Sequence, residues 1–398
     1  PIISISNGQT HTFELQGQSN SLGLIKKSIE FKGNNYQIGL DVNIEKASQQ
    51  FPIFLEWSHK LIDDKDLQRI DPQTFSILNA NDKVEKILLK DVPDKALLEK
   101  GDNKWVSFGD KYFAGIIGAK NGNAKTEIGH ENNLFFTRVG QAGPFASFSI
   151  YTGPKDLTVL SDYAEKGLHR VVDLGFFSFL AHPLLGLLRF FHSLVGNWGL
   201  AIILLTLSIK LAFLPLAKAS FKSMQAMQEL QPEMKALRER ITDATQLNQE
   251  MMALYKRRGV NPMGGCFPIL IQIPVFFGLY NALLNSIELR HAPFALWVTD
   301  LSSPEKLVLG GISVPLMILL MGASMIYQQW SQPMGTMDPA QQKMMKFMPV
   351  IFTVMFIIFP MPSGLVLYWL VNNTISIVQT LYLKGHKKGD PLTATIIA

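Results

Sequence analysis

From Thr10 to Pro154 the chain alternates short runs of β-branched and aromatic residues with clusters of Gly, Asn and Asp. The runs include Tyr36 to Ile44, Phe51 to Trp57, Lys104 to Ile117, Leu134 to Val139 and Phe145 to Tyr151. Turn signals such as Lys32-Gly33-Asn34-Asn35 and Lys120-Asn121-Gly122-Asn123 lie between them. This pattern predicts an all-β antiparallel sandwich over residues 1–170. No catalytic or metal-binding constellation is legible within it.

The pattern then changes to long apolar runs separated by short charged stretches. Residues 171–197 form an apolar segment interrupted by His182, Pro183, Arg189 and His192. Gly196 and Asn197 alone divide it from the next apolar run, too short a link for two membrane spans, so an interfacial amphipathic helix is expected. Five transmembrane helices follow within residues 198–384: about Trp198 to Leu216, Phe267 to Leu284, Leu307 to Tyr327, Phe347 to Phe359 and Leu365 to Leu383. At ~1.5 Å per residue the first covers about 28 Å, close to the hydrocarbon thickness, and the fourth is short unless it extends towards Met344. Pro268, Pro274, Pro315 and Pro349 fall near or within spans and favour kinks.

Between the first two spans, residues 218–262 show helical spacing of Met224, Met227, Leu230, Met234, Leu237 and Ile241, then Leu247, Met251 and Leu254. A helical hairpin is predicted, bent at Pro232, with the turn at Thr242 to Thr245. Met224, Met227, Met234 and Met251 offer an adaptable surface for docking a client or partner; the alternative is that they fill the seam between the two arms.

Charge then orients the chain. Lys218, Lys222, Lys235, Arg238, Arg240, Lys256, Arg257 and Arg258 follow the first span, and Lys384, Lys387 and Lys388 occupy the tail, residues 385–398 and the position before it. The loop between the second and third spans has only Arg290 and Lys306. The positive-inside rule places the hairpin and the tail in the cytoplasm and the β-domain outside. The net charge of +5 in 398 residues is therefore a topology signal first, and an attraction to anionic lipid or ribosomal RNA only second. No specific nucleic acid sequence is implied. A hydrophobic content of 47% is high for a soluble protein. The single cysteine, Cys266, excludes an intrachain disulfide and a thiolate metal cluster. Because the chain begins at Pro1 while its first domain requires export, a signal or anchor segment ahead of it is expected.

Lys210 is the sharpest chemical signal, an ionisable group within the apolar run Ala201 to Leu216. A lysine at a span centre costs about 2.5 to 3.5 kcal/mol on insertion scales, so it is expected to face protein or a water-filled cavity. The alternative is snorkelling over the roughly 10 Å to the cytoplasmic end of its helix. Thr206 stands at i−4 from Lys210, and Gln272, Asn281, Gln328, Asn372 and Asn373 lie in or beside other spans. These amides either line a cavity or join helices to one another. No acidic residue lies within the spans, which leaves a net positive site.

HExxH, GxSxG and Walker signatures are missing, as is an intramembrane aspartate pair, so an enzyme is not expected and no cofactor or metal is implied. The rival reading is a transporter or channel with Lys210 in an anion pathway, although no internal repeat supports it. A purely structural assembly factor is a third.

Several strings together resemble the YidC family of membrane protein insertases. They are Val195-Gly196-Asn197-Trp198-Gly199, Gln231-Pro232-Glu233-Met234, Asn261-Pro262-Met263-Gly264-Gly265-Cys266-Phe267-Pro268, Ala292-Pro293-Phe294-Ala295-Leu296-Trp297, Met348-Pro349-Val350 and Pro362-Ser363-Gly364-Leu365-Val366-Leu367-Tyr368-Trp369. The resemblance spans roughly Asp173 to Lys384. It implies a bacterial inner-membrane insertase with a periplasmic β-supersandwich and a bundle enclosing a hydrophilic groove, open to cytoplasm and lipid and closed outside. Lys210 stands where the family usually has arginine, and Thr206, Gln272, Tyr368, Trp369, Asn372 and Asn373 fall at its groove and substrate-contacting positions. The implied partners are nascent membrane proteins, the Sec translocon, ribosomes and membrane lipids.

Overall fold

The computed structural model describes residues 4–60, 73–94, 97–131, 134–261, 267–305, 307–331, 339–359 and 361–385. Met263, Cys266, Lys306, Pro360, Lys387 and Lys388, with the tail 386–398, lie outside the described residues. The chain divides into two compact units, Pro1–Asp173 and Leu174–Ala398.

Among the described residues the first unit consists of β-strands up to Pro154, with one 3-10 turn at Leu89–Asp91. Its strands are β1 (Thr10–Ser19), β2 (Gly23–Lys32), β3 (Gln37–Ile44), β4 (Pro52–Lys60), β5 (Thr74–Asn79), β6 (Val84–Leu88), β7 (Leu97–Gly109), β8 (Phe113–Ala119), β9 (Ala124–Glu131), β10 (Leu134–Ala142) and β11 (Phe145–Pro154). Rather than two separate sheets, they form one hydrogen-bonded antiparallel sheet in the order β1-β2-β3-β11-β8-β7-β9-β10-β4, with β5 and β6 attached through β7. The long strand β7 makes this possible. Its first half pairs with β9, the register shifts between Glu99 and Asp102, and its second half pairs with β5 and β8. A bulge of this kind bends a strand and lets the sheet curl over its own core.

The apolar run Lys104 to Ile117 is two strands, not one. Asp110 Oδ1 accepts from the backbone N–H groups of Tyr112 at 2.8 Å and Phe113 at 2.7 Å, and this Asx turn reverses the chain. Alternation then sorts side chains between the faces. Phe75, Ile77, Val106, Ile117, Ile128 and Phe148 build the main core. Their neighbours Leu78, Trp105, Ile116 and Tyr151 face the other way and are covered by Leu160, Leu168 and Val171 from the short helix α1 (Leu157–Ser161) and the 3-10 turn Leu168–Val171. Burial on both faces explains why these strands read as nearly continuous apolar runs.

The second unit is helical: α2 (Ser178–Val195), α3 (Trp198–Ala212), α4 (Leu214–Glu229), α5 (Gln231–Arg240), α6 (Ala244–Arg258), α7 (Phe267–Asn285), α8 (Leu316–Ser331), α9 (Pro339–Ile358) and α10 (Ser363–Gly385). Three boundaries differ from expectation. The first apolar run breaks at Phe213, where α3 and α4 meet at a 59° bend and Pro215 occupies the first turn of α4. Leu307 to Val314 is a β-hairpin, Leu307–Leu309 with Ile312–Val314, turned by Gly310 and Gly311 at positive φ, so α8 starts only at Leu316. The fourth apolar run is part of a longer helix that extends past Met344, since α9 has 20 residues and carries Pro349 within it. Helix α2 is long and apolar enough to cross a bilayer, so its length alone does not assign it to the interface.

Helices α5 and α6 fold back on one another after a turn in which Asp243 caps α6 by accepting from Gln246 N–H at 2.7 Å. Pro232 lies in the first turn of α5, which sets the break after α4 at Leu230. Their seam holds Leu230, Met234, Leu254 and Tyr255, with Met227 and Met251 packed against it. Met234 is only 2% exposed and accepts a weak hydrogen bond from the Tyr255 hydroxyl. Met234 thus fills the seam, the alternative raised for these methionines, while Met227 and Met251 pack against it half-buried.

His59 supplies a test of the β-domain. It is buried, stacks on Phe108 at 4.0 Å and Trp57 at 5.7 Å, and burial pushes its pKa down to about 4. The unfolded chain takes up this proton near the ordinary histidine value and the folded chain does not. Stability is therefore lost as pH falls from about 6.5 to about 4, by about 3 kcal/mol at most. Thermal unfolding across this window should show that loss, and His59→Phe should flatten the part due to this residue.

Candidate functional site

Lys210 lies near the C-terminal end of α3, and its ammonium donates to Ser376 Oγ of α10 at 2.7 Å. The Ser376 hydroxyl donates in turn to its own helix, to the Asn372 carbonyl at 2.8 Å. An ammonium has three N–H donors, so two remain without a protein acceptor among the described residues. The amine thus turns across to a neighbouring helix, which is not the path of a side chain snorkelling along its own.

Around it lies a cavity of about 200 Å³, lined by Ile209, Lys210, Phe213 and Leu216 of α3 and α4, Ser220 and Met224 of α4, Gln272 of α7, Gln328 of α8, and Ser376, Gln379 and Thr380 of α10. Lys210 is the one charged residue in that lining among the described residues. Every polar group there is a neutral amide or hydroxyl, which can solvate a cation without cancelling its charge.

Of the residues singled out from sequence, Lys210, Gln272 and Met224 line the cavity directly. Gln272 Nε2 donates to Asn372 Oδ1 at 3.0 Å, so Asn372 reaches the cavity through it, while Tyr368 is buried beside Phe276. Trp369 belongs to an aromatic cluster with Phe276 at 5.0 Å, Phe356 at 5.3 Å and Phe352 at 6.4 Å. Asn373 turns away to Ser324 of α8 at 3.3 Å. Thr206 is not a groove residue: it is 1% exposed, and its hydroxyl donates back to the Ile202 carbonyl at 2.7 Å. Sharing a helical face with Lys210 is not enough when that face meets another helix one turn earlier. Ser376, Gln379 and Thr380 were missed, although Asn372, Ser376 and then Gln379 or Thr380 recur at the spacing of one helical face.

The opposite ends of the same helices are tied down by the segment 286–305. Asn197 caps α3 by accepting from Leu200 N–H at 3.0 Å and donates to the Phe294 carbonyl at 3.0 Å. The Ser303 carbonyl accepts from Ser363 N–H and hydroxyl at 2.8 and 2.7 Å, and Leu301 accepts from Gly364 N–H, which secures the start of α10. Glu305 accepts from Trp297 Nε1 at 2.7 Å and from Ile318 N–H at 3.1 Å, which secures the start of α8. Arg189 of α2 pairs with the largely buried Glu288. The strings around Asn197, Trp297 and Ser363 are therefore parts of one closure.

The family described as 60Kd inner membrane protein matches residues 190–390, and the YidC periplasmic domain matches residues 4–187. The chain belongs to the YidC membrane protein insertase family. Three relatives named Membrane protein insertase YidC illustrate the similarity. That of Geobacter sp. (strain M21) is 39% identical over 96% of this chain and 72% of its own length. That of Geobacter sulfurreducens is 40% identical over 90% and 68%, and that of Shewanella halifaxensis 41% over 91% and 68%. A crystal structure of the active YidC insertase with the first transmembrane domain resolved is 20% identical, covering 93% of this chain and 76% of that one with a TM-score of 0.43. In this YidC-family chain the family's two parts meet close to the boundary between the two compact units.

The closure can be tested at a glycine. A Cβ on Gly199 would lie 2.0 Å from the Phe294 ring, whereas one on Gly186 of α2 would meet nothing within 4 Å. Gly199→Ala should destabilise the helical unit by about 1–3 kcal/mol. Gly186→Ala should be neutral or stabilising by up to about 1 kcal/mol. Thermal unfolding of the detergent-solubilised chain separates the two.

Proposed function

We propose that this chain is a membrane protein insertase of the bacterial inner membrane that receives hydrophobic segments of nascent proteins in the Lys210 cavity and releases them into lipid. One observation carries the reading: an ammonium with spare donors in a neutral polar cavity, at the end of the bundle away from the 286–305 closure. In the proposed topology the β-domain is periplasmic, and α5, α6 and the tail are cytoplasmic, in line with the basic residues on those segments. The cavity then opens towards the cytoplasm.

A wet cavity in the inner leaflet shortens the apolar distance that the polar end of a guest must cross. Lys210 attracts an acidic terminus or loop of the guest, while its hydrophobic segment moves along α7 and α9 into lipid. Burial of the guest's own apolar residues supplies most of the driving force, and the membrane potential helps acidic residues outward. No nucleotide is consumed. The Sec translocon and the ribosome are the partners that the family resemblance favours, with the exposed basic face of α6 available to ribosomal RNA.

Reconstitution in nucleotide-free liposomes should accelerate insertion of a small single-span substrate over empty liposomes; equal rates would refute the proposal. Lys210→Arg should retain activity, since arginine keeps the charge under almost any burial. Lys210→Ala should slow insertion of substrates with acidic translocated ends by roughly 5- to 30-fold, the value of one or two kcal/mol. Equal insertion by all three proteins would remove Lys210 from the mechanism. Solute flux through the same liposomes would favour the transporter reading instead.

A further inference from the structure

The β-domain holds a second cavity, of about 240 Å³, which the insertase reading does not use. Its floor is a row across three strands. Trp105 of β7 pairs with Gly118 of β8, and Gly118 pairs with Ser149 of β11, so all three face the same side. Gly118 leaves this row open, and nothing larger fits: a Cβ there would lie 2.4 Å from the Lys104 carbonyl. Lys120 follows two residues after Gly118, and Lys166 and Leu168 of the segment after β11 line the other side.

Two features of the lining are unfinished. Trp105 is 2% exposed, and its indole N–H, sealed from solvent, has no hydrogen-bond partner among the described residues. A buried donor without an acceptor is costly and uncommon in a folded protein. The half-buried Lys166 finds only the Ser149 hydroxyl at 3.1 Å and no carboxylate among the described residues. Lys120 forms long ion pairs with Glu30 and Asp41, at 3.8 and 3.6 Å, and keeps hydrogen-bonding capacity beyond them. Glu165, the one acidic residue in the lining, is exposed. Burial, then the neighbouring charges of Lys120 and Lys32, hold the Lys166 ammonium below its ordinary pKa, as expected for a cation lacking its counter-charge.

We propose that this cavity is a binding site for a phosphate-type oxyanion, with Lys120 and Lys166 supplying the charge beside the buried Trp105 ring of the floor. The wall formed by Ile116 and Leu168 accepts an apolar portion beside the anion, so a phosphate ester suits the cavity better than a bare ion. Such a group is available as free phosphate or as a phospholipid headgroup. The site stands independently of the insertase mechanism.

The full chain in detergent, with ¹⁵N-labelled tryptophan, reports on it directly. Trp105→Phe assigns the Trp105 indole resonance, and the other tryptophans monitor the fold. Titration with inorganic phosphate, glycerol 1-phosphate and short-chain phosphatidylglycerol, each at constant ionic strength, should move that resonance saturably. Lys166→Gln and Lys120→Gln should each weaken the apparent affinity about tenfold or more, the effect of losing a charged hydrogen-bond partner. Tighter binding of the glycerol-linked probes would assign the site to a lipid headgroup, and equal or tighter binding of inorganic phosphate to the free ion. No saturable shift with any probe, or the same shift in both lysine variants, would overturn the proposal.

Discussion

An ammonium ion within an apolar bundle must be solvated by something, and the choice of solvating group decides what the site can do. A carboxylate would neutralise it and produce a structural ion pair. Here Lys210 finds a serine hydroxyl already committed to its own helix, together with amides and further hydroxyls around an open volume. No carboxylate pairs with the charge among the described residues, and two of its donors find no protein acceptor there. Among the described residues the cavity lining and the polar face of α10 offer that ammonium neutral groups and no acid.

A charge held in this way is useful only if the cavity opens at one end. The segment 286–305 binds the starts of α3, α8 and α10 through backbone and carboxylate hydrogen bonds, and the aromatic cluster of Phe276, Phe356 and Trp369 lies between those starts and the Lys210 level. At the other end α3 breaks at Phe213 and α4 leaves at 59°, so the helix carrying Lys210 does not run straight through. Close approach elsewhere is secured by small residues, as where Gly322 of α8 meets Thr353 of α9. The bundle is tight where helices must seal and loose around the lysine.

Much of this was legible from sequence because it rests on local rules. The contrast between strand-like and membrane-like patterning marks two units, and an isolated lysine in an apolar run marks the site. What escaped depends on tertiary context. Leu307 to Val314 has the composition of a span, but the Gly310-Gly311 pair permits a tight hairpin that hydropathy does not weigh. Thr206 shares a face with Lys210, yet only the packing of its neighbours places it in a helix interface. The methionines of α5 and α6 have the same spacing whether they fill a seam or await a partner, and only the facing helix distinguishes the two. Ser376 could have been found from the spacing of Asn372, Ser376 and Thr380 on α10, a polar stripe hidden among larger apolar neighbours.

The central claim is that water reaches Lys210 from one side of the membrane alone. Ser376→Cys, in a chain whose only native cysteine is replaced by Cys266→Ala, places a thiol at the lysine's partner. Membrane-impermeant maleimide should label it in inverted inner-membrane vesicles, which expose the cytoplasmic face, and leave it unlabelled in right-side-out spheroplasts. Labelling from the outer face, or from neither, would contradict a cavity that is wet inside and closed outside.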